Sequence, residues 1–98
     1  MASFNYQLSD NIASFIGELS RNTVDQLNKK DIKKLTDAKQ LTVDLKQLSR
    51  VDTAGLAWLL LLVEKSQQAS CQLIFINFPD NLHKLAQLSG VDSFLPID

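Results

Sequence analysis

Residues 41–63 read LTVDLKQLSRVDTAGLAWLLLLV, and this stretch carries the clearest signal of the fold class. It begins with an alternating apolar strand, Leu41 to Leu45, and after a short loop it continues as a helix from Ala54 to Ala69. The next segment, Cys71 to Phe78, is a second strand that contains the apolar run Leu73 to Ile76. A strand, a helix and another strand in this order indicate a parallel crossover, and so an α/β sheet with helices packed on it. Because the apolar run is nearly continuous, we expect this strand in the centre of the sheet, covered on both faces.

The sequence before this stretch predicts two strands and a first helix. Apolar and polar residues alternate from Phe4 to Leu8, a turn signal follows, and Ile12 to Leu19 is a second strand that forms a hairpin with the first. Asn22 and Asp25 have the spacing of a capping box. They predict the start of an amphipathic helix that carries one apolar stripe as far as Ala38.

The sequence after the stretch predicts a third helix and an apolar tail. Asp80 can cap this helix, and Gly90 closes it. We expect the tail, with Phe94, Leu95 and Ile97, to pack back on the sheet. The element order is ββαβαβα, which predicts a small mixed β-sheet covered by helices in a single domain, residues 1–98.

Charge and cysteine content exclude several functions. The net charge is −1 and both signs are scattered along the chain, which argues against a nucleic-acid-binding protein because that would need a basic face. The one basic cluster, residues 29–34, is interleaved with acidic residues and indicates a solvated helix face. Cys71 is the single cysteine, so neither a disulfide framework nor a multi-cysteine metal site is possible within the chain. The longest apolar run, Ala54 to Val63, is shorter than the roughly 20 residues that span a bilayer. The start lacks a signal-peptide pattern, and we expect a cytoplasmic protein.

The motif between residues 44 and 60 resembles that of a known family. Asp44-Leu45 ends a strand, Asp52-Thr53-Ala54-Gly55-Leu56 forms a turn, and an apolar helix follows. This pattern is similar to the signature of the STAS family, named for sulfate transporters and anti-sigma factor antagonists: a strand ending in Asp-Leu, an Asp-Ser/Thr-x-Gly-Leu turn and an apolar helix. The resemblance implies the STAS fold over nearly the whole chain, and a function in docking onto a partner protein.

A closer resemblance is to the MlaB branch of that family. It is carried by residues 48–60, LSRVDTAGLAWLL, and by the later helix with Leu82, Leu85, Ala86 and Leu88. The implied partner is the ATPase subunit of a bacterial ABC-type phospholipid transporter. The implied role is to support that ATPase in maintaining outer-membrane lipid asymmetry. The chain would then be peripheral to the inner membrane, which it would contact only indirectly, through the transporter.

The long helix is apolar on all sides, which favours a docking surface. Leu56, Leu59, Leu60 and Val63 form one stripe that is expected to face the sheet, and a second group lies on the opposite side: Ala54, Trp58, Leu61 and Leu62. Because so small a domain has little protein to cover both sides, the second group is expected to be an exposed patch that binds a partner. The alternative is that Trp58 packs in the core, under the first helix or the tail.

Three residues at the start of this helix have two readings each. Thr53 either caps the helix or is a partner contact or phosphosite. Asp52 is a second cap or a partner contact, and Gly55 is either an ordinary helix-start glycine or allows close backbone approach. The partner-binding residues predicted from the motif and the apolar patch are Arg50, Asp52, Thr53, Ala54, Gly55, Trp58, Leu61 and Leu62.

The sequence shows no pattern of residues that would predict a catalytic site. His83, the one histidine, has no nucleophile near it in sequence, and no glycine-rich phosphate loop is present. We therefore expect no enzymatic activity, no cofactor and no metal. The alternative function is an anti-sigma factor antagonist that is switched by phosphorylation at Thr53.

Overall fold

A computed structural model describes residues 2–98, and its element order is the expected ββαβαβα. The strands are β1 (Phe4–Ser9), β2 (Ile12–Leu19), β3 (Gln40–Val51) and β4 (Gln72–Ile76), and the helices are α1 (Lys29–Leu35), α2 (Thr53–Gln68) and α3 (Asp80–Leu88). Two short 3-10 turns, Val24–Gln26 and Asp92–Phe94, complete the chain.

One mixed sheet organises the molecule, with strand order β1-β2-β3-β4. The hairpin β1–β2 is antiparallel, whereas β2–β3 and β3–β4 are parallel, as crossovers through α1 and α2 require. Alternate residues of the central strands are fully buried on one face, among them Ala13 and Phe15 of β2 and Val43 of β3. The other face stays more open, since Ile12 is 47% exposed. The core therefore lies on one side of the sheet.

The first helix begins later than the sequence predicted. The Asn-x-x-Asp pattern occurs twice, and the capping box forms at the second copy, where Asn28 accepts from the N–H of Asp31 and Asp31 accepts from the N–H of Asn28. At the first copy the Asn22 side chain instead donates to Glu18. Because Leu27 is extended, the chain breaks between a 3-10 turn and α1 instead of forming one continuous helix.

The expectation of a fully covered central strand at residues 73–76 is wrong. β4 is the last strand of the sheet, and Ile74 is 36% exposed. The expected return of the tail is confirmed for Leu95 and Ile97, whereas the prediction for Phe94 is wrong, since that side chain is 66% exposed. Phe75 donates to the carbonyl of Pro96 at 2.8 Å, and Leu95 is buried. The tail therefore covers part of the outer edge of β4. In a central strand, a neighbouring strand would pair with this edge.

The ends of α3 differ slightly from expectation. Asp80 is the first helical residue, and the N-cap position is occupied by Pro79. Gly90 ends the helix with a φ of +72°, and the N–H of Val91 donates to the carbonyl of Ala86 at 3.0 Å. This is the Schellman arrangement that a glycine after a helix predicts.

Candidate docking site at the start of helix α2

Asp52 connects two loops at the carboxyl end of the sheet. It is the N-cap of α2, and its Oδ1 accepts from the backbone N–H of Gly55 at 3.0 Å. Its Oδ2 accepts from the backbone N–H of Arg21, which follows β2, at 3.1 Å. Burial opposes ionisation of the Asp52 carboxyl, but these N–H groups outweigh it and lower its pKa. Both oxygens of this anion are thus used within the fold, so Asp52 acts as a cap.

Gly55 lets α2 approach the end of β2 closely. A Cβ at this position would lie 2.1 Å from the carbonyl oxygen of Leu19 and 2.8 Å from Cγ2 of Val51. No side chain fits there, which confirms the close-approach reading of this glycine. Gly55 is buried in the chain, so this structure gives it a packing role, and its contact with a partner stays a prediction.

Trp58 and Leu62 are also core residues, and the prediction that they are exposed is wrong. Trp58 is 7% exposed with its ring centroid 5.9 Å from that of Phe15, and Leu62 is fully buried. The reason is that α2 packs on β3 and β4 and is also contacted by α3 and by the turn Val24–Gln26. The remainder of this small domain therefore covers more of the surface of α2 than we expected from the sequence.

The residues of α2 that do reach the surface follow helical spacing. Thr53, Ala57 and Leu61 are exposed at intervals of four residues, and Leu61 is 37% exposed. Ala54 is half-buried beside them. Ala57 was not among the predicted contacts, although its spacing from Thr53 could have identified it. We call Arg50, Thr53, Ala54, Ala57 and Leu61 the docking edge.

A shallow hollow of about 420 Å³ lies at one end of the docking edge. It is lined by Arg21, Arg50, Asp52, Thr53 and Ala54. Arg50 pairs with Glu18 of β2 in the parallel register, which brings the loop after β2 next to the start of α2. No local sequence pattern indicated Arg21 in this site, because the pairing of β2 with β3 brings it there.

The other candidate groups do not gather into a reactive site. His83 is exposed on α3, with its ring edge against Phe78 at a centroid distance of 6.3 Å. Burial raises the pKa of the Cys71 thiol, so its reactive thiolate is disfavoured. In residues 2–98 no three His, Cys, Asp or Glu side chains group as a metal site would need. Within the same residues, no helix has the length and apolar character to cross a membrane.

Comparison with known proteins agrees with this architecture. The family described as "Mlab, STAS domain" has a sequence model that matches residues 12–96. The chain belongs to the STAS domain family. The resemblance found in the motif is thereby confirmed, and the fold class with it. No curated protein matches the chain.

Solved structures share this STAS fold at low sequence identity. An anti-sigma factor antagonist from Mycobacterium paratuberculosis is 19% identical with a TM-score of 0.73, and the match covers 99% of this chain and 85% of that one. The anti-sigma factor antagonist SpoIIAA in its unphosphorylated form is 18% identical with a TM-score of 0.69, and the match covers 98% of this chain and 88% of SpoIIAA. The phosphorylated form of the Bacillus protein SpoIIAA is 18% identical with a TM-score of 0.66, covering 98% and 91%. At these identities the similarity shows the fold alone.

Proposed function

We propose that this STAS domain is a non-catalytic subunit of an ABC-type phospholipid transporter. In this proposal it is cytoplasmic, binds the transporter's ATPase, and so supports the maintenance of outer-membrane lipid asymmetry. It is peripheral to the inner membrane only through that complex. The family description, which names Mlab, and the MlaB-like motif of residues 48–60 support this assignment.

The observation that supports the docking function is that Asp52 and Thr53 have different roles at the start of α2. Asp52 provides the cap of α2, while Thr53 is the first helical residue and is exposed. A threonine at this place is therefore not required as the cap. It lies instead on an exposed edge with Ala57 and Leu61, where a partner can contact it.

A second candidate function is that of an anti-sigma factor antagonist. The exposed hydroxyl of Thr53 at the start of a 16-residue helix favours it, because the helix dipole stabilises a phosphate there. The neighbouring charge of Asp52 opposes it. The similar structures described as anti-sigma factor antagonists share this fold. Both candidates use the same edge and differ in the partner.

Affinity purification from the native cell separates the two candidates. We expect a tagged chain to co-purify an ABC ATPase and its membrane subunits. A matched Thr53→Glu chain, with a charge in the docking edge, should recover less. Co-purification of an anti-sigma factor in place of the ATPase would overturn the transporter proposal and support the alternative.

The purified chain should hydrolyse neither ATP nor GTP. Turnover that follows the chain's own chromatographic peak through successive columns would contradict the non-catalytic assignment. A loss of activity as the protein becomes purer would instead identify a contaminating ATPase.

A further inference from the structure

Both arginines of the chain lie in one place. The sequence has two arginines and eight lysines, and Arg21 and Arg50 line the same hollow beside Thr53. The two are 29 positions apart, and the pairing of β2 with β3 brings them together. All eight lysines lie outside the lining of this hollow. Arginine differs from lysine in its planar fork of donors, which matches the two oxygens of an acidic group.

The carboxylates around this hollow are already engaged. Asp52 accepts from the N–H groups of Gly55 and Arg21. Glu18 accepts from the hydroxyl of Ser20 and the amide of Asn22, and these hydrogen bonds lower its pKa. Both carboxylates therefore have neutral donors as their hydrogen-bond partners.

The guanidinium groups, in contrast, remain available. Arg21 and Arg50 are exposed, and within residues 2–98 the hydrogen bond of Arg21 to Asp52 runs through its backbone N–H. Arg21 acts on Asp52, and Arg50 on Glu18, by charge through space. The donors of both side chains are thus free to meet a group from outside.

We propose that Arg21 and Arg50 form a clamp for an acidic side chain, aspartate or glutamate, of the docked partner. This inference rests on the proposed function and adds the chemistry of the contact. Arg21, Arg50 and Asp52 line the hollow, and Glu18 pairs with Arg50 in the strand register. These four charges sum to zero, so the carboxylates already offset part of the arginine charge and a single negative charge fits better than a phosphate dianion. Thr53 lies next to the clamp and adds one hydroxyl to it.

The test measures the affinity of the purified ATPase subunit for variants of the full chain. Arg21→Gln and Arg50→Gln should each weaken binding about tenfold or more, because a carboxylate of the partner loses its charged donors. Arg21→Lys and Arg50→Lys keep the charge without the fork and should lose less. Lys84→Ala, at an exposed cation on α3, is the matched control and should bind as the unmodified chain does.

Each outcome separates the clamp from the proposed function. If the unmodified chain does not bind the ATPase, the proposed function fails and the clamp with it. If it binds and both glutamine variants bind equally well, with unfolding transitions unchanged, only the clamp is overturned. Phosphatase treatment of both proteins should leave binding intact. Loss of binding after that treatment would show that the contacting group is a phosphate and not a carboxylate, and it would also overturn the proposal.

Discussion

The two faces of the apolar helix α2 differ in their surroundings: one is buried in the core, and the other is exposed. The inner face carries Gly55, Trp58 and Leu62, which are buried against the sheet, the neighbouring helix and the turn after β2. The outer face exposes Thr53, Ala57 and Leu61, and Thr53 lies beside the two arginines. In the sequence-based prediction, Trp58 and Leu61 belonged to a single exposed patch. Their separation teaches that the fold and the docking edge can be changed independently.

The largest effect should come from the inner face. Trp58→Ala removes a ring that packs on Phe15, and we expect it to lower the free energy of unfolding by about 3–5 kcal/mol. Chemical denaturation measures this loss. Leu61→Ala on the outer face of the same helix is the matched control, and because Leu61 is exposed its loss should be below about 1 kcal/mol. Equal losses for the two variants would contradict the division of the helix into two faces.

Gly55→Ala tests the close approach of α2 to β2. The added methyl group would meet the carbonyl oxygen of Leu19, and the backbone must move to make room. Such overpacking costs roughly 1–3 kcal/mol of unfolding free energy. Ala57→Ser, a small change at an exposed position of the same helix, serves as the control in thermal unfolding. A melting temperature unaffected by Gly55→Ala would show that the contact is looser than the structure has it.

Asp52→Ala should lower the free energy of unfolding by about 1–2 kcal/mol, because the N–H groups of Gly55 and Arg21 lose their acceptor. Asp52→Asn keeps a capping oxygen and should lose less.

The contribution of this carboxylate also depends on pH. The folded pKa of Asp52 lies below its ordinary value of 3.8, so its stabilisation is present above that value and is lost as the pH falls through the folded pKa. The advantage of the unmodified chain over Asp52→Asn should shrink as the pH falls below 3.8. An advantage that stays constant across that range would show that the charge contributes nothing.

Much of the fold could be predicted from local sequence patterns. The turn signal after Leu8 predicted a second strand at Ile12–Leu19, which is β2 with the observed bounds, and the Gly90 end of α3 follows from helix termination chemistry. The start of α1 could not be chosen between two identical Asn-x-x-Asp patterns. The difference lies in contacts with other parts of the chain: the Asn22 amide donates to Glu18 of β2, and the extended backbone of Leu27 ends the first turn.

The site was predictable only where its residues are local in sequence. The motif around Asp52 and Thr53 pointed to the start of α2. In contrast, the burial of Trp58 depends on elements that close around α2 from distant parts of the chain. Arg21 reaches the hollow through the parallel pairing of β2 with β3, which no local pattern indicates.

Substitutions of Thr53 should have the smallest effect on folding. Since Asp52 makes the cap, both Thr53→Ala and Thr53→Glu should change the free energy of unfolding by no more than about 0.5 kcal/mol, as is usual at exposed positions. Thermal unfolding of the two variants checks this. A loss of about 1 kcal/mol or more in Thr53→Ala alone would return the capping role to the threonine.

Binding of the Thr53 variants to the ATPase tests the docking edge most directly. Glutamate adds bulk and a negative charge at the edge, so Thr53→Glu should weaken the measured affinity at least tenfold, equivalent to about 1.4 kcal/mol, while Thr53→Ala has the smaller effect. Both variants should unfold within roughly 2–4 °C of the unmodified chain, in keeping with the small change in unfolding free energy, which separates docking from folding. If Thr53→Glu binds the ATPase as tightly as the unmodified chain, Thr53 does not face the partner and the docking edge is misplaced.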